Sequence, residues 1–147
     1  MEFDSKVKDR VYDIVAKTGR VPAAAQLAAE LKQPLDTVVE AFRRLAAKRL
    51  LVLEPGAETK IRMAPPFSGV ETTFSVTVGD VRYYANCVWD ALGVAAALQS
   101  DARIEASDSH TGEPISLEIQ DGRPVPEPCV VHFAVPAAQW WQDIIHT

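Results

Sequence analysis

The chain has two cysteines, Cys87 and Cys129, and a carboxylate, Asp90, stands three residues after the first. A thiolate is the reactive form of cysteine and a soft ligand that favours soft metals. On a helix, residues i and i+3 share a face one turn apart, so Asp90 can take the proton of the Cys87 thiol or return one, which is general acid–base work. If Cys87 lies at the start of that helix, the free N–H groups and the positive helix end favour its thiolate. A plainer reading of the same residues stays open: cysteine is among the most buried residue types, and a carboxylate in a first helical turn simply meets the dipole. Cys129 opens a second strand-like run, Cys129 to Val135. Alternation there puts Cys129 and Val131 on one face and Val130 and His132 on the other. Acyl transfer by Cys87 with His110 or His132 also remains open, without local support. No Cys-x-x-Cys or His-x-x-x-His spacing, glycine-rich phosphate loop or serine-hydrolase elbow occurs, so a structural zinc site, a nucleotide site and a serine triad are not expected.

These groups need elements to position them, and periodicity supplies candidates. The spacing predicts helices over 4–17, 22–31 and 35–48, with Val7, Val11, Ile14 and Val15 as the inward stripe of the first. Short strands are expected over 50–53 and 60–63, joined by the Pro55-Gly56 turn. Three helices and a hairpin make a winged-helix-like unit over residues 1–63. The proline-rich stretch Ala64 to Gly69 reads as a boundary. Beyond it, residues 64–147 read as an α+β unit. Strands are expected over 71–78, 81–85, 102–106, 115–119 and 129–135, a buried helix over 88–98, and a last helix starting at Pro136. The fold class is therefore α+β, with a mixed sheet in the second unit. Trp89, Trp140 and Trp141 are expected to fill its core, because large aromatics dominate small cores.

Charge divides at the same place. The net charge of -5 is the sum of +3 over residues 1–63 and -8 over residues 64–147. An acidic second half is a poor footprint for nucleic acid. The basic residues of the third helix, Arg43, Arg44, Lys48 and Arg49, gather at its C-terminal end, whereas recognition helices present their N-terminal part to bases. Nucleic acid is therefore an unlikely partner. The first ten residues are charged and lack an apolar stretch, which argues against a secretory signal and for a cytoplasmic address. No apolar run approaches the length of a membrane span.

The second half resembles the alkylmercury lyase (organomercurial lyase) family. The resemblance rests on Tyr84-Ala85-Asn86-Cys87-Val88-Trp89-Asp90-Ala91-Leu92, on Ser109-His110-Thr111-Gly112-Glu113-Pro114-Ile115-Ser116-Leu117, on Cys129-Val130-Val131-His132-Phe133, and on Val135-Pro136 with Trp141 beyond. The helical first half is similar to that family's N-terminal unit. The resemblance implies protonolysis of a carbon–mercury bond, giving a hydrocarbon and mercuric ion, with Cys87, Asp90 and Cys129 as catalytic residues and as ligands of the mercury. It implies no added cofactor. The partners it implies are a small organomercurial and, for the released ion, free cellular thiols or a reductase. In the family pattern the second cysteine lies four residues before the histidine; here Pro128 holds that position and Cys129 follows it. Two other functions fit the same residues: a mercury-binding or mercury-sensing protein without turnover, and a winged-helix transcriptional regulator.

Overall fold

The computed structural model describes residues 1–126 and 130–147. The chain opens with α1 (Glu2–Thr18), α2 (Ala24–Leu31) and α3 (Leu35–Ala47). Each buries the stripe its periodicity marks: Val7, Val11 and Ile14 on α1, Leu27 and Ala28 on α2, and Val38, Phe42 and Leu45 on α3 meet in one core. Burial of such side chains contributes roughly 1.5–3 kcal/mol each, and this core is what holds the three helices together. Asp4, a buried carboxylate on α1, is paired by the Arg44 guanidinium of α3, with Nη2 2.7 Å from Oδ1 and Nε 3.0 Å from Oδ2. That pairing satisfies a charge that would be costly to bury alone.

A small antiparallel sheet follows, β1 (Val52–Glu54), β2 (Ala57–Ala64) and β3 (Phe67–Ser68), in that order. β3 is not foreseen in the sequence. The proline stretch read as a boundary forms its turn: Ala64 pairs with Phe67 on either side of Pro65-Pro66.

The second sheet has five strands: β4 (Phe74–Val78), β5 (Val81–Ala85), β6 (Ala102–Ser107), β7 (Pro114–Gln120) and β8 (Arg123–Val125). Their spatial order is β5-β4-β6-β7-β8. Every pairing among the described residues is antiparallel, a narrower arrangement than the mixed sheet expected. α4 (Val88–Leu98) crosses from β5 to β6 and covers one face, packing on β4, β5 and β6. Val76, Tyr83, Ala85, Ala91, Val94 and Ile104 form the core between them. The opposite face is polar, as the alternation requires, with Arg82 Nη2 3.0 Å from Glu105 Oε2.

α1 belongs to both cores. Its Val15 packs with Phe67, Val76 and Tyr83, and the Tyr83 hydroxyl donates to the Ala16 carbonyl. Tyr12 donates to the Pro65 carbonyl at 2.8 Å. The helix ends at Gly19 in the left-handed region (φ 74), and a Cβ there would lie 2.2 Å from the Arg82 carbonyl oxygen. Glycine is required twice over, for its backbone conformation and for the approach of β5.

Two expectations for the C-terminal part need correction. Residues 130–135 form no strand, and Cys129 lies outside the described residues. The edge of the sheet is taken instead by β8, where Ile119 pairs with Pro124. Proline is tolerated at a sheet edge because its missing N–H removes no ladder bond. The last helix is a single 3₁₀ segment, Ala137–Gln142, which stops before Ile144 and Ile145. Among the described residues, no helix is long and apolar enough to cross a membrane.

Candidate active site

β5 ends at Ala85 and α4 begins at Val88, so Asn86 and Cys87 form the joint. Cys87 is the N-cap, with extended backbone (φ −151, ψ 176), and its carbonyl accepts from the Ala91 N–H at 2.9 Å. The apolar run from Val88 favours the helix, and Asp90 in its first turn meets the positive end. Gly93 lets this helix sit close to the β2–β3 turn: a Cβ at that position would stand 3.1 Å from Pro66 Cβ. The helix bearing both groups is thus held against the sheet on one side and against Pro66 on the other.

Cys87 and Asp90 are both half-buried, and each acts on the other's titration. Burial pushes Asp90 up to about 6, and the thiol offsets only part of that rise. Burial likewise pushes the Cys87 thiol up, helped by the negative charge of Asp90. The backbone N–H groups of Asp90 and Trp89 do act on the sulfur in the opposite direction, as the helix-start argument requires, but they are outweighed. The favourable helix start is thus opposed by burial and by the Asp90 charge, which together hold the thiol above its ordinary range. A soft metal ion binding the sulfur displaces the thiol proton, and the nearest acceptor is a carboxyl whose affinity for protons has been raised. Such an acid can hold a proton near neutral pH and release it to a developing carbanion.

The segment 130–147 lies across this joint. Asn86 Nδ2 donates to the Ile144 carbonyl at 3.3 Å. Trp89 stands edge-on to Phe133, with ring centroids 5.7 Å apart, and Phe133 packs on Trp140 at 5.2 Å. Trp140 Nε1 donates to the Val135 carbonyl at 3.1 Å. Trp141 lies under the Arg49 guanidinium, 5.5 Å from the ring centroid. None of the three tryptophans fills the core, and Trp89 is 50% exposed. Sequence reasoning missed this cluster and the role of Asn86. The only local signal is that Asn86 and Trp89 flank Cys87.

The two histidines weighed with Cys87 are both exposed. His110 is exposed on the β6–β7 turn, where Asp108 Oδ1 accepts from the backbone N–H groups of His110 and Thr111 at 2.8 Å. His132 is exposed in the segment that crosses the joint, beside Phe133. Among the described residues no three His, Cys, Asp or Glu side chains gather into a metal site. On α3, Arg43 is paired with Glu58 at 2.9 Å and Arg44 with Asp4, so both cations are engaged within the chain.

The profile of the MerB alkylmercury lyase family matches residues 67–147. The chain belongs to the alkylmercury lyase family. The matched region begins at β3 and contains Cys87, Asp90, Cys129 and the aromatic cluster, while α1, α2 and α3 precede it. Among solved structures, one described as "Crystal structure of the mercury-bound form of MerB2" has a similar fold, with a TM-score of 0.65 at 23% identity. The similarity covers 86% of this chain and 62% of that one, so this chain spans about six-tenths of that relative's length. No curated protein matches.

Proposed function

We propose that the chain cleaves carbon–mercury bonds by protonolysis, with Cys87 binding the mercury of the substrate and Asp90 carrying the proton. The observation that supports this most is the placement of Cys87 at the N-cap and Asp90 in the first turn of α4, both half-buried, with burial raising the carboxyl to about 6. Family membership supports an organomercurial as the substrate class. In the first step a Cys87 sulfur–mercury bond forms as the exchangeable ligand of the organomercurial, a thiolate or halide, departs, and the thiol proton passes to Asp90. A second thiol then gives its proton to solvent, coordinates the mercury as a thiolate and polarises the bond to carbon; Cys129 takes this role in our reading, and a small cellular thiol is its substitute. Asp90 protonates the carbon, and the carbon–mercury bonding pair becomes the new C–H bond. The hydrocarbon leaves, mercuric ion stays on sulfur, and excess thiol collects it. Every proton and electron pair is supplied by the chain and the thiols, so the proposed reaction needs no added cofactor.

The test is benzene and mercuric ion release from phenylmercury in excess thiol. Cys87→Ser and Asp90→Asn should abolish release, with Asp90→Asn still taking up mercury. Cys129→Ser separates the two sources of the second thiol: loss of release assigns it to Cys129, and retained release assigns it to solution thiol. If the native chain binds phenylmercury stoichiometrically and releases no benzene, the chain is a binder, and protonolysis is wrong. The paired arginines of α3 count against the regulator reading, since a DNA-binding surface needs free cations for the phosphates.

A further inference from the structure

Residues 130–147 cross the β5–α4 joint without burying a single side chain. The segment holds its own shape: Trp140 Nε1 donates to the Val135 carbonyl, and the Thr147 hydroxyl donates to the Asp143 carbonyl at 2.6 Å. It docks on the rest of the chain through a few side chains. Asn86, the residue before Cys87, donates to the Ile144 carbonyl, and Trp89, the residue before Asp90, meets Phe133. Surface segments with little buried apolar contact open locally at low free energy, so single anchors weigh heavily in where they sit.

A third anchor comes from the helical unit. α3 ends in a left-handed turn at Arg49 (φ 59): its N–H reaches the Ala46 carbonyl at 2.9 Å, and the Leu50 N–H reaches the Leu45 carbonyl at 3.0 Å. Glycine is the usual residue at that place in a helix ending. Here an arginine stands there, and its guanidinium lies over the Trp141 ring, 5.5 Å from the centroid. Arg43 and Arg44 of the same helix face carboxylates, whereas Arg49 faces the segment. A cation is attracted by the electron-rich face of an aromatic ring, and tryptophan is the strongest partner.

We propose that Arg49 is a positioning residue for the thiol site: through Trp141 it holds the segment 130–147 closed across the joint that carries Cys87 and Asp90. The helical unit thereby acts on the site through one side chain. The inference rests on the reading of Cys87 and Asp90 as the reacting pair.

The test reads access to Cys87, with no mercury and no turnover. In a Cys129→Ser background, where Cys87 is the one thiol, modification by iodoacetamide is followed at pH 7.5. Arg49→Gly removes the cation and suits the left-handed backbone. It should speed modification about two- to fivefold, the usual worth of one exposed cation–π contact, while Tm does not fall. Loss of a positive charge alone would act the other way, by disfavouring the thiolate. Arg49→Lys should keep most of the native rate, and adding Arg49→Gly to Trp141→Leu should bring no further rise. An unchanged rate in Arg49→Gly, a rise matched by a fall in Tm, or additive effects of the two changes overturns the proposal. If Arg49→Gly loses its native circular dichroism, Trp141→Leu carries the test against Trp141→Tyr, which keeps a ring face; a faster rate in the first is expected, and equal rates overturn the proposal. Absence of benzene release by the native chain would sink protonolysis alone and leave these rates to decide the anchor.

Discussion

Asp90→Asn should stabilise the fold while removing activity. A carboxyl raised from 3.8 to about 6 binds its proton more tightly in the folded chain than in the unfolded one. Between those values the folded state carries more protons, so stability falls as pH rises through the window, and above it the loss is complete. At about 1.4 kcal/mol per pH unit, the rise is worth about 3 kcal/mol in a dry site. Asp90 keeps contact with water, and screening brings the expected figure to about 1–2 kcal/mol. Asparagine keeps the shape and has no charge to bury. Chemical denaturation of both chains from pH 4 to pH 8 measures the difference. The two should be nearly equal at pH 4, and the variant should be more stable by about 1–2 kcal/mol at pH 7, roughly 2–8 °C in Tm. Parallel pH curves would refute the reasoning, because they would mean that Asp90 is not strained by its surroundings.

Three further outcomes follow from the same structure. In a Cys129→Ser background, iodoacetamide should modify Cys87 severalfold faster in Asp90→Asn at pH 7.5, because a negative charge that disfavours the thiolate is gone; a slower rate would contradict the assigned direction. Gly19→Ala should cost at least about 1–2 kcal/mol from its left-handed backbone. It should cost more than Gly79→Ala, which shares a positive φ but has open space, and equal losses in denaturant would mean that β5 yields easily. Asp4 is held below the usual carboxylate range mainly by the Arg44 hydrogen bond, so its contribution is present above the unfolded value of 3.8 and lost as pH falls through the folded one. Arg44→Ala should lower Tm at pH 7 and flatten the acid limb of the Tm–pH curve; an unchanged acid limb would assign that limb to other carboxylates.

What could be read in advance was local. β5 and α4 lie over the expected residues, because period-two and period-3.6 patterns are written within a few residues of each other. The nearness of Cys87 and Asp90 is likewise a matter of helical spacing. The direction of the thiol's pKa was not legible: the N–H groups that lower it are local, whereas the burial that raises it comes from the packed chain. Trp89 was expected in the core because hydrophobic size says nothing about which side of α4 the sheet covers. β8 was hidden by Pro124, which is a poor strand residue except at an edge, and only the finished sheet has edges. Asn86 meets Ile144 from 58 residues away, and no periodicity marks such a contact.

The sharing of α1 between two cores constrains how this chain can be divided or inherited. Val7, Val11 and Ile14 serve the helical core, and Val15, one turn on from Val11, serves the sheet. A fragment beginning at residue 64 would lose Val15 from its hydrophobic core, the Ala16 carbonyl that receives Tyr83, and the helix end that β5 is shaped around. Recombination that swaps the sheet for a relative's must carry α1 with it, or supply a substitute surface. The helices therefore remain tied to the thiol-bearing half, and a crossover between α1 and β5 would require paired changes in both.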